Sequence, residues 1–226
     1  MPNANADPRA EDTRKRLIEA GIGLFGQYGY DAVTTRQLAE TAGVNQAAIP
    51  YHFGGKEGVY RAVAGQLASA SAERMQPVLS AVRQLLAQTP ERAAVEQALL
   101  DTTLALARVS FEPAHRAVWM MLLNREQFHP SSAFDDLYGT FVGPIYRLLG
   151  QLIGRLTAQA PTARDTTLLV HAYLGQLIGF TVARTSLARS LGEPAAAATD
   201  DIDSAIGAVE RFSRMAIRGM RAGPCD

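Results

Sequence analysis

Between Thr35 and Lys56 the chain gathers side chains that exchange hydrogen bonds but do not make covalent ones: Thr35, Arg36, Asn45, Gln46, Tyr51, His52 and Lys56. The amide of Gln46 both donates and accepts, which matches the edge of an adenine, and the Ala47 methyl suits a thymine methyl. Hydroxyl, guanidinium and ammonium groups suit phosphate oxygens, so Thr35, Arg36, Tyr51 and Lys56 are read as clamps that set register. Gln46, Tyr51 and His52, together with Asn45 at the helix cap, are the candidate groups for DNA contact. Tyr51 and His52 also have a plainer reading, in which they only pack. Bond-making chemistry is not indicated. His52 has no second metal ligand at a suitable spacing, and Cys225 is the only cysteine. There is no P-loop, G-x-G-x-x-G, H-E-x-x-H or nucleophile elbow. No metal, cofactor or catalytic residue is expected.

These groups need a small rigid frame. A first helix is expected over about Asp12–Tyr28, where Leu17, Ile18, Ile22, Leu24 and Phe25 form an apolar stripe. Gly29 stops it. Thr34 caps a second helix, with Gln37 at the spacing of a capping box, and that helix runs to about Thr41. Ala42-Gly43-Val44 makes a tight turn, and Asn45 caps a short third helix over Gln46–His52. Gly54-Gly55 ends it, and Lys56 opens a long fourth helix. Two short helices joined by a glycine turn and packed on a longer one form a helix-turn-helix, which projects its second helix into a major groove.

The remaining chain also reads as helix, with no sustained period-2 run. Further helices are expected near 77–88, 91–109, 113–127, 134–159, 163–190 and 201–221, with prolines as punctuation and a kink at Pro144. Ala195–Ala198 looks like a linker. The 226 residues are 47% hydrophobic and 19% charged, which excludes a disordered chain and leaves room for a substantial core. Net charge is zero, so attraction to nucleic acid must be local. Residues 1–60 carry six basic and seven acidic groups, which implies weak affinity per monomer. The N-terminus has no signal-peptide core, and the chain is expected to be cytoplasmic. Thr166–Ala183 is uncharged over 18 residues, near the shortest membrane span, but is read as a buried or dimer-forming helix.

Tyr28-Gly29-Tyr30, Thr34-Thr35, Leu38-Ala39, Ala42-Gly43-Val44 and Tyr51-His52-Phe53, followed by Lys56 and Glu57, resemble the DNA-binding domain of TetR-type transcriptional regulators. Asn45, Ala47 and Pro50 depart from the usual serine, glycine and tyrosine. Pro50 removes one helical hydrogen bond, so a kinked or tightened third helix is expected. Asn124-Arg125-Glu126-Gln127, Pro130, Ala133-Phe134, Pro144, Gly175-Gln176, Phe180 and Arg184 resemble the C-terminal domain of CecR-type members. The resemblance implies an all-α protein. Its parts would be a disordered tail (1–11), a three-helix helix-turn-helix domain (12–58) and a larger helical regulatory and dimerisation domain (59–221). The implied function is a ligand-responsive repressor of an efflux or transport-related gene. Its implied partners are a palindromic double-stranded operator, a second copy of the chain and a small apolar or amphipathic effector.

Leu174, Gly175, Ile178, Gly179 and Val182 are the expected dimer interface, since Gly175 and Gly179 lie four apart and permit close helix approach. Trp119, Met120, Phe134, Tyr138 and Phe141, with His171 and Gln176 as polar groups, are the expected effector pocket; at helical spacing they are equally good core. Competing readings are a regulator without a small-molecule input, a helical enzyme and a membrane-associated protein.

Overall fold

The computed structural model describes residues 8–111, 113–193 and 201–220, with the side chains of 113–117, 120, 123 and 124 left out. Among the described residues there are helices and no strands: α1 (Pro8–Tyr28), α2 (Thr35–Ala42), α3 (Ala48–Phe53), α4 (Lys56–Ala87), α5 (Arg92–Ser110), α6 (Pro113–Phe128), α7 (Ser132–Leu137), α8 (Gly143–Thr157), α9 (Arg164–Val182), α10 (Arg184–Leu191) and α11 (Ile202–Gly219). They form two compact units. One is Met1–Ser69 with Ala114–Leu137; the other is Ala70–Pro113 with Tyr138–Asp226.

The first unit is built on α1. Leu17, Ala20 and Phe25 of α1 are buried, as are Leu38, Ala39 and Ala42 of α2, Ile49 of α3, and Val59, Tyr60, Val63 and Ala64 of α4. Val118 and Leu122 of α6 and Ala133 and Leu137 of α7 join them. The expected boundary at 58 therefore needs correction: the first half of α4 and the α6–α7 segment belong to the same body as the helix-turn-helix. Helix α1 also begins at Pro8, not Asp12, so residues 8–11 are helical; Pro8 fits a first turn, where its missing N–H costs nothing. Residues 1–7 lie outside the described chain.

In the second unit α5, α8, α9 and α11 surround one core of Leu99, Leu106, Leu149, Leu152, Ile153, Tyr173, Leu177 and Val209, with Met75, Leu79 and Val82 of α4. Arg92 joins three elements at one end. It pairs with Glu96 at 2.7 Å and donates to the carbonyls of Leu156 (2.9 Å) and Met220.

Three expected boundaries differ. Pro77 lies inside the continuous α4 rather than starting a helix, because Met75, Leu79 and Val82 on the same face are buried and outweigh one lost backbone bond. The expected helix 134–159 is divided: α7 passes through a π-helical turn, Tyr138–Val142, into α8, and Pro144 sits in the first turn of α8 instead of kinking a helix interior. The expected helix 163–190 is two, with α9 and α10 bent by 72°. No single helix among the described residues is long and apolar enough to cross a membrane. Within the uncharged stretch, Thr166, Val170, Tyr173, Leu174, Leu177 and Thr181 face inward, the pattern of a core helix. The Ala195–Ala198 linker and Cys225 lie outside the described residues.

Candidate nucleic-acid interface

The frame expected from the sequence is present. The Thr34 hydroxyl accepts from the Gln37 N–H at 3.2 Å, and the Thr34 N–H donates to Gln37 Oε1 at 2.8 Å, so two orphan donors at the start of α2 are satisfied reciprocally. Gly43 closes α2 in the left-handed region, at φ 61°. A Cβ there would lie 2.5 Å from Nη2 of Arg16, which donates to the Gly43 carbonyl at 2.9 Å. Arg14 does the same for α3: it donates to the His52 carbonyl at 2.7 Å and lies over the Phe53 ring. Two arginines one helical turn's fraction apart on α1 thus hold the C-terminal ends of both short helices. Their charge also suits the negative end of a helix dipole.

Helix α3 begins at Ala48, two residues later than expected. Asn45 still organises its approach, since Asn45 Oδ1 accepts from the Ala47 N–H at 2.8 Å and the Asn45 carbonyl accepts from Ala48. The later start removes the conflict at Pro50. It now lies in the first turn, where a backbone N–H has no intrahelical partner to lose.

At the tip, Asn45, Gln46, Ala47 and Tyr51 are exposed, and Tyr51 reaches 82%. A tyrosine that only packed would not stand so far out. His52 is half-buried, edge-on to Tyr51 at 4.7 Å, so it both packs and borders the tip. Gln46 Nε2 donates to the Thr35 hydroxyl at 3.0 Å, joining the first residue of α2 to the approach of α3. Arg36 is exposed and paired with Glu40 at 2.7 Å.

Lys56, expected as a phosphate clamp, also serves the frame. Its ammonium donates to the carbonyls of Tyr30 (3.1 Å) and Val33 (2.9 Å) and lies over the Tyr30 ring. Two of its three donors are therefore committed to closing the α1–α2 connection.

Behind the tip lies a polar cluster whose role was not assigned from sequence, although Tyr30, Arg125 and Glu126 belong to the quoted motifs. Glu126 is 1% exposed. It accepts from Tyr60 Oη (2.7 Å), Arg125 (2.8 Å) and the Ser131 N–H (2.8 Å). Burial alone would raise its carboxyl, but the donors of Tyr60, Ser131 and Arg125 outweigh it and hold the group below the usual carboxylate range. Burial and that same bond push the Tyr60 phenol well up. Arg125 stacks on the rings of both Tyr30 (4.1 Å) and Tyr60 (4.5 Å). Burial and bonding to Glu57 raise the Tyr30 phenol to about 12.

The residues expected to line an effector pocket are divided. Trp119 and Phe134 are half-buried in the first unit, whereas Tyr138, Phe141, His171 and Gln176 belong to the second. The side chain of Met120 lies outside the described set. Gln176 turns inward, donating to the Tyr173 carbonyl and accepting from Ser213, so its amide serves the core. His171 is exposed, with Nδ1 2.7 Å from Tyr146 Oη. The expected dimer set also needs one correction: Leu174 is 8% exposed and part of the core, because it lies one position off the outward stripe. Gly175, Ile178 (46%), Gly179 and Val182 (43%) are exposed, and Leu168 extends their face.

Comparison with known proteins agrees with this geometry. Residues 17–63 match the family described as "Bacterial regulatory proteins, tetR family", and residues 96–217 match "HTH-type transcriptional dual regulator CecR, C-terminal domain". The chain is 30% identical over 190 residues to the HTH-type transcriptional dual regulator CecR of Shigella flexneri, covering 83% of each protein. It is 29% identical over 117 residues to the HTH-type transcriptional repressor AcnR of Corynebacterium glutamicum, covering 51% of this chain and 60% of that one. Among solved structures, Salmonella enterica GusR superposes with a TM-score of 0.58 at 14% identity, covering 96% of this chain and 100% of that one. The fatty acid degradation regulator FadR from Bacillus halodurans gives 0.55 at 16%, covering 97% and 100%; both show a shared fold. The chain belongs to the TetR family of helix-turn-helix transcriptional regulators, with a C-terminal domain of the CecR type, and it is a regulator and not an enzyme.

Proposed function

We propose that the protein is a cytoplasmic, ligand-responsive repressor that binds a palindromic operator as a homodimer and controls a transport-related gene. The observation that carries DNA reading is the exposed tip of Gln46, Ala47 and Tyr51 on a frame in which two arginines of α1 hold the C-terminal ends of α2 and α3. Gln46 and Ala47 read bases, His52 borders them, and Thr35, Arg36 and Tyr51 meet phosphates. The outward stripe of Leu168, Gly175, Ile178, Gly179 and Val182 on α9 supports pairing with a second copy. Pairing compensates for the weak charge of one DNA-binding domain by raising effective concentration at the second half-site. Repression is supported by the word "repressor" in the name of AcnR, while "dual regulator" in the name of CecR leaves room for activation at other promoters. The transport-related target rests on the CecR-type resemblance.

A second reading, a regulator without a small-molecule input, is favoured by one observation. Gln176, expected as a polar group of the effector pocket, has its amide satisfied internally by Tyr173 and Ser213. Footprinting on the adjoining promoter, with and without substrates of neighbouring transporters, separates the two. Release by one substrate class supports the first reading; protection insensitive to all of them supports the second.

A further inference from the structure

We propose that Thr35 couples phosphate contact to base reading, acting as the positioning residue that orients the Gln46 amide. The inference rests on the reading above, in which the tip enters a major groove.

Both partners sit on fixed backbone. Thr35 is the first residue of α2, directly after the Thr34–Gln37 capping box. As a β-branched residue it has few rotamers available at χ1. Gln46 lies in the turn entering α3, whose backbone is tied by bonds from Ala47 to Asn45 Oδ1, from Ala48 to the Asn45 carbonyl and from Ile49 to the Gln46 carbonyl. The Gln46 Nε2 to Thr35 Oγ1 bond of 3.0 Å therefore links two anchored points 11 residues apart.

The chemistry of a hydroxyl gives the link a direction. Thr35 has one proton and two lone pairs. When its proton goes to a phosphate oxygen, only lone pairs remain for Gln46. The amide must then offer an N–H to Thr35, as it does in this structure. Its carbonyl Oε1 and its second N–H are left for the groove. That pair accepts from adenine N6 and donates to adenine N7. An unanchored glutamine has two amide orientations of similar energy; the phosphate contact selects the one that reads adenine. Docking on the backbone and discrimination at one base pair thereby become a single event.

The test uses the full-length protein and a duplex that it selects from a randomised pool. Wild type, T35V, T35S and Q46A are titrated against this duplex and against copies in which each adenine in turn becomes 7-deazaadenine, which lacks the N7 acceptor. Wild type is expected to lose about tenfold in affinity at one adenine per half-site. Q46A removes that penalty, and T35V reduces it to about threefold or less. T35S, which keeps the hydroxyl, restores it. The penalty is a ratio measured on one protein, so a change in folded fraction cancels from it. T35V retaining the full penalty would overturn the coupling. Q46A retaining it, or wild type showing no penalty at any adenine, would instead overturn the reading of Gln46 as the base-contacting residue.

Discussion

At the scale of single residues, the buried Glu126 carboxylate is the group whose state matters most to the first unit. Tyr60, Arg125 and Ser131 all donate to it, and Arg125 carries the arrangement on to Tyr30. Removing one donor is costly because the carboxylate stays buried. Tyr60→Phe is expected to destabilise the protein by about 1.5–3 kcal/mol, the range for a hydrogen bond to a charged group, read by denaturant melting. The sign of the pH effect follows from the lowered carboxyl. A group held below its unfolded value adds stability above that value and loses it as pH falls through the folded one. Melting temperature should therefore drop on acidification below the ordinary glutamate range, and Glu126→Gln should flatten that part of the curve. Neither role was legible in the sequence. Arg125-Glu126 looks there like any charged pair on a helix, and nothing local says that Tyr60, 66 residues earlier, will meet it.

At the scale of elements, local signals were strong wherever the chain had to end or begin a helix. The capping box at Thr34 and Gln37 and the left-handed Gly43 and Gly54 were readable because each satisfies its backbone within a few residues. Thr34→Ala should cost about 1 kcal/mol, seen as a lower melting temperature with an unchanged far-UV spectrum at 25 °C. Prolines were read less well, because their effect depends on register. Pro50 was expected to distort α3, and the helix instead starts late enough to place it in the first turn. Pro77 was expected to open a helix and is absorbed into α4. The π-helical turn before α8 and the bend between α9 and α10 were not read from the sequence, where both segments follow the pattern of continuous helix.

For the whole molecule, the DNA-binding body is larger than its motif. Phe25 and Tyr30 pack on Tyr60, and a Cβ on Gly26 would come within 3.1 Å of the Val118 nitrogen in α6. A fragment of residues 1–58 lacks those partners, and should show no cooperative thermal transition by calorimetry where the full chain does. In the function proposed above, the outward face of α9 pairs with a second copy. Ile178→Glu places a charge on it without touching the core, so sizing at micromolar concentration should shift from dimer to monomer. Operator affinity should fall at least tenfold in the same variant while the melting curve of the first unit changes little.

The sequence alone determined the helical class, the three-helix frame and the exposed tip, because helix period, caps and glycine turns act over a few residues and leave local marks. It also marked the uncharged stretch Thr166–Ala183 as a buried or dimer-forming helix. The tertiary structure decided which leucine of α9 turns inward, that Lys56 serves two carbonyls and that α6–α7 join the first unit. Those outcomes depend on contacts between positions tens of residues apart, where burial sets the energy and no neighbouring residue records the choice.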